Sequence, residues 1–111
     1  PKVFHDDDIK KVIIEISSNR LGATAVLKGS KLVGIITDGD LRRMLERNTD
    51  ISRLTAADIM SKKPRTIAPD TLVVNALSMM RESNITQLLV VEKNSYKGVI
   101  HLHDILREGI L

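Results

Sequence analysis

The chain has 111 residues, 17 basic and 14 acidic side chains, a net charge of +3 and 42% hydrophobic residues. That length suits one compact domain, and aromatics at 2% make its core aliphatic. Without cysteine there are no disulfides or thiolate metal sites, which fits a cytoplasmic location, and no apolar run is long enough for a membrane helix. The mild basic charge is interspersed and no aromatic stacking platform exists, so the expected partner is a small anionic ligand rather than nucleic acid. The chain opens on Pro1 and reads as a piece of a longer protein.

In chain order, Ile9, Val12, Ile13 and Ile16 recur at i, i+3, i+4 and i+7, predicting an amphipathic helix over residues 8–19. His5 to Asp8 reads as its acidic first turn. A strand is expected at 24–27, a turn at 28–30 using Gly29, a strand at 31–37 and a helix at 38–47. Thr55 and Asp58 have capping-box spacing, which predicts a short helix at 56–60. Residues 64–69, bounded by Pro64 and Pro69, read as extended, with 1–4 as the matching segment of the first half. Then follow a helix at 71–83, a strand at 88–91, a turn at 92–95, a strand at 96–101 and a helix at 103–108.

The second half repeats the first at an offset of 64 residues without a gap. The first helical stripe falls on Val73, Ala76, Leu77 and Met80; Gly34 falls on Gly98, Asp40 on Asp104 and Arg43 on Arg107. The expected fold class is therefore α+β with an α/β-like flavour: two βαββα-type units, residues 1–47 and 48–111, with the linker helix in the second. Neither unit buries its apolar sheet face alone, so packing about a pseudo-twofold axis is expected, leaving a ligand cleft.

Thr37-Asp38-Gly39-Asp40 stands where a strand enters a helix, and two readings compete there. A helix N-terminus with a hydroxyl and a glycine suits phosphate. Thr-x-x-Asp is equally a capping box that needs no ligand, and Asp38 repels an anion. Arg42 and Arg43 follow, able to reach an anion or to form a solvated helix face. In the second unit His101 replaces the threonine, in His101-Leu102-His103-Asp104, and is expected not to cap as a hydroxyl does. His101 and His103 have a metal-ligand spacing, but the strand-to-helix turn breaks their alternation and further ligands are not evident, so no metal is assigned. The four methionines read as core.

The tandem, with Asp58-Ile59-Met60, Pro64, Ile67-Ala68-Pro69-Asp70, Ala76, Met80, Gly98 and Asp104, and with Gly34, Thr37 and Asp40 in the first unit, resembles a pair of cystathionine-β-synthase-type (CBS) domains, a Bateman module. The likeness covers essentially the whole chain. LVGIITDGDLRRML together with KGVIHLHDILREGIL is similar to the C-terminal half of bacterial D-arabinose 5-phosphate isomerases. In those proteins a sugar-isomerase domain precedes a CBS pair, and they supply the precursor of Kdo for lipopolysaccharide or capsule. The resemblance implies a regulatory, non-catalytic module that binds AMP or ATP, or CMP or CMP-Kdo. Thr37 would bond the phosphate, Asp40 the ribose hydroxyls, and Gly34 would keep its strand close-packed. Asp38, Gly39 and Arg43 would complete that site, with Thr66, Ile67, Gly98, His101, His103 and Asp104 as the remaining contacts. The implied partners are an N-terminal isomerase domain and a second copy, as a CBS-pair dimer. A module that binds nothing and assembles through Ile105, Leu106 and Ile110 is the alternative.

Overall fold

The computed structural model describes residues 1–19, 21–48 and 50–107. They form two compact α+β units that divide in sequence after Pro64. The first contains β1 (Lys2–Phe4), α1 (Ile9–Ser18), β2 (Ala23–Lys28), β3 (Lys31–Thr37), α2 (Asp38–Arg47), α3 (Ala56–Ile59) and β4 (Ser61–Lys62). β1 runs parallel to β2 with α1 as the crossover, β2 and β3 form an antiparallel hairpin, and β4 adds antiparallel to β3. Asp8 caps α1 by accepting the Lys11 N–H at 2.9 Å. The stripe then lays Val12 and Ile16 against Val3, Val26 and Ile36 in one aliphatic core. Gly29 closes the hairpin at φ +62°, a left-handed angle that a side chain would resist.

Three expectations change here. The aspartates of residues 6–8 precede α1 rather than forming its first turn, and the Asp7 carboxylate accepts the Phe4 N–H at 2.7 Å. The linker helix, expected with the second repeat, packs in space on the first unit. The Ala56 and Ala57 N–H groups donate to the carbonyls of Asp7 and His5, each at 2.9 Å, and Ala56 is buried in the first core. A four-residue helix has little core of its own, so these backbone partners hold it in place, and the first compact unit runs to Pro64. β4 was not expected at all: two residues carry no readable alternation.

The second unit contains β5 (Thr66–Ile67), α4 (Val73–Ser83), β6 (Gln87–Glu92), β7 (Ser95–His101) and α5 (Leu102–Arg107). Its pairings copy the first unit's at the same 64-residue offset. Val3 faces Val26 and Ile67 faces Val90; Val26 faces Gly34 and Val90 faces Gly98. Even the register shift recurs, after Val26 and after Val90. Ile67, Ala76, Met80, Leu88 and Ile105 form this unit's core. α4 starts two residues later than expected: the Thr71 N–H closes a turn onto Ala68 O at 3.1 Å, and Leu72 stands at the cap without a side-chain acceptor. The hairpin turn holds Lys93 and Asn94 at φ 51° and 67°, the paired positive angles that match strand twist. The expected end of α5 at Glu108 lies outside the described residues. No described helix is long and apolar enough to cross a membrane.

The two equivalent glycines have different surroundings. A Cβ on Gly34 would stand 2.5 Å from Met60 Sδ and 2.9 Å from the Ser61 carbonyl oxygen, where the chain enters β4. A Cβ on Gly98 would meet nothing within 4 Å among the described residues. Gly34→Ala should therefore destabilise by about 1–3 kcal/mol through overpacking. Gly98→Ala should stay within about 0.5 kcal/mol of the parent. Urea unfolding of both variants checks the contrast.

Candidate ligand-binding site

The first strand-to-helix turn is built around one carboxylate. Thr37 ends β3 in an extended conformation and serves as N-cap of α2. Its hydroxyl accepts the Asp40 N–H at 3.3 Å, and Asp40 Oδ2 accepts the Thr37 N–H at 2.9 Å, a complete capping box. The Thr37 hydroxyl also donates its own proton to Asp40 Oδ2 at 3.2 Å. Arg43 Nη2 donates to Asp40 Oδ1 at 2.6 Å from one turn further along α2. Ser61, on β4, donates its hydroxyl to both carboxylate oxygens, at 3.2 and 3.4 Å. Asp40 is only 7% exposed, whereas Arg43 is half exposed, so the ion pair is anchored at its acidic end and open at its basic end.

Next to this cluster lies a groove of about 440 Å³, lined among others by Asp40, Arg43, Arg47, Asp58, Met60 and Ser61. Of the expected site residues the structure brings Gly34, Thr37, Gly39, Asp40 and Arg43 together around β3 and α2. A Cβ on Gly39 would sit 3.4 Å from Arg43 Nη1, an ordinary van der Waals contact with a flexible side chain. Asp38 points away as an exposed residue whose backbone N–H is bound to Gly22 O at 3.1 Å. Ser61, Arg47 and Asp58 were not expected in this neighbourhood. Ser61 follows directly on the Asp58-Ile59-Met60 motif, and a serine there was the one available sign.

The second turn is chemically different. His101 does cap α5, contrary to expectation: its Nδ1 accepts the His103 N–H at 3.0 Å. A ring nitrogen without a proton is an adequate acceptor, so the ring takes over the structural role of the lost hydroxyl. The rings of His101 and His103 meet edge to face with centroids 4.7 Å apart. Asp104 keeps its partner, accepting from Arg107 Nη2 at 2.8 Å, but it is 43% exposed. Thr66 is exposed on β5, and Ile67 is buried in the second core opposite Val90. Gly98 lies opposite Val90 on β7.

A family model described as CBS domain matches residues 1–47 and again residues 56–110. The chain belongs to the CBS-domain family. As a CBS pair it is 37% identical over its whole length to the arabinose 5-phosphate isomerase KdsD of Yersinia pestis, and 33% identical to the Escherichia coli K12 protein of that name. The chain spans 34% of the length of each of these relatives. A crystal structure of a CBS domain shares its fold with a TM-score of 0.87 at 20% identity, over 99% of this chain and 87% of that one. A Pyrobaculum aerophilum CBS domain protein complexed with AMP gives 0.82 at 25% identity, over 94% of this chain and 81% of that one.

The two caps make a direct comparison possible. Thr37→Ala and His101→Ala should each lower stability by about 1 kcal/mol, the usual worth of an N-cap. His101→Asn should restore it, since an Asn side chain supplies the same acceptor. Thermal unfolding of the three variants is the measurement.

Proposed function

We propose that this CBS pair is the regulatory module of a cytoplasmic D-arabinose 5-phosphate isomerase of Kdo synthesis, and that it senses a nucleotide or nucleotide sugar. The observation that carries the reading is the Thr37–Asp40 turn, where a hydroxyl donor and a carboxylate acceptor converge beside an arginine and a groove. Those are the groups that a phosphate and a ribose require. Full-length likeness to the isomerases and the AMP held by a 25%-identical CBS protein support it. Thr37 donates to the phosphate, Asp40 accepts from the ribose hydroxyls, and Arg43 balances the charge. A CMP-sugar such as CMP-Kdo is the candidate beside an adenine nucleotide. Control of the isomerase then requires the ligand to bind one arrangement of the module better than another.

A second reading, assembly with another copy, is favoured by apolar side chains that folding leaves in water. Ile14 on α1 is 57% exposed and Leu45 on α2 is 59% exposed. Leu106 on α5 is 47% exposed as expected, but Ile105 is buried in the second core, and Ile110 lies outside the described residues.

Thermal unfolding with AMP, ATP, CMP and CMP-Kdo tests sensing. A true ligand at a hundredfold its Kd should stabilise by about 2.7 kcal/mol. Asp40→Asn should lose the shift while still unfolding cooperatively; no shift with any of the four overturns the sensing reading. Assembly predicts a dimer by sedimentation that Ile14→Ser with Leu45→Ser returns to monomer, and a monomeric parent chain overturns it.

A further inference from the structure

A carboxylate offers about four acceptor positions. In this structure Asp40 fills them from inside the protein: the Thr37 N–H at 2.9 Å, the Thr37 hydroxyl at 3.2 Å, Arg43 at 2.6 Å, and the Ser61 hydroxyl shared at 3.2 and 3.4 Å. A ribose cis-diol brings two more donors, so two of the present ones must leave. The Thr37 N–H is fixed by the backbone at the end of β3. Arg43 makes the short, charge-assisted bond and is the costliest to give up. The Thr37 hydroxyl leaves when it turns its proton to a phosphate. Ser61 is the remaining candidate: its bond, at 3.2 and 3.4 Å, is split between two oxygens, and the residue is exposed, so water takes over its proton. Two positions vacated match two ribose hydroxyls.

We propose that Ser61 is a latch that nucleotide binding opens. Resting on the assignment of Asp40 to the ribose, ligand takes the place of the Ser61 hydroxyl and unties β4 from α2. β4 is two residues long, held to β3 at Gly34 and Ile35, and it runs straight into Lys63 and Pro64, where the first unit ends. The event at Asp40 is thereby passed to the segment joining the two units. Ser61 is a positioning residue here, acting through Asp40.

The exposed segment carries its own reporter, since trypsin cuts after Lys62 and Arg65. Cleavage is followed with and without AMP or CMP, and binding of the same nucleotides is measured by calorimetry. In the parent chain nucleotide should speed cleavage about fivefold, the equivalent of one hydrogen bond. Ser61→Ala should be cut at the faster rate without ligand, should not respond to it, and should bind up to about fivefold more tightly, because nothing is displaced. Ser61→Thr should restore the parent behaviour. A merely structural serine would not make its removal tighten binding. No binding heat with either nucleotide overturns the ribose assignment and the latch with it. Binding with unchanged or slowed cleavage, or weaker binding by Ser61→Ala, overturns the latch and leaves the ribose assignment standing.

Discussion

A carboxylate shut away from water must have its oxygens occupied, and Asp40 satisfies that need from three elements at once. The backbone and hydroxyl of Thr37 bring in the end of β3, Arg43 the next turn of α2, and Ser61 the strand β4. These bonds tie the end of β3, the start of α2 and β4 to one group. Gly34 is the steric half of the same arrangement: without a side chain there, Met60 and Ser61 settle on β3 close enough for the hydroxyl to reach. Charge and space thus converge on one corner of the first unit.

The second unit shows what happens when that demand is relaxed. Its strands keep the pairings, including the register shift, and its acid keeps an arginine one turn away. Asp104 is partly in water, so fewer donors suffice, and a histidine takes over the cap. The backbone plan of the repeat is therefore set by aliphatic burial and strand register, while the chemistry of each turn is free to diverge.

Much of this was legible in the residues. The stripe Ile9, Val12, Ile16 has one physical solution, and Thr37 to Asp40 spells a capping box that the structure forms in full. The 64-residue offset carried the register because side chains alternate along a strand, so a preserved apolar pattern preserves the pairing. The failures have physical causes too. β4 is too short for periodicity, and the linker helix is assigned by backbone hydrogen bonds to residues 5–8 that no side-chain pattern announces. The cap by His101 depends on which ring nitrogen carries its proton, and the role of Ser61 on a fold around Gly34. Buried polar networks join residues distant in sequence, here 21 apart, and a linear reading lists the members without linking them.

Lys63 has a φ of 56°, a left-handed value for a residue with a side chain, immediately before Pro64. A proline narrows the torsions open to the residue before it, and a left-handed angle there is a rare state that only surrounding structure maintains. The backbone leaving the first unit thus sets a costly torsion directly beside one that the proline ring fixes.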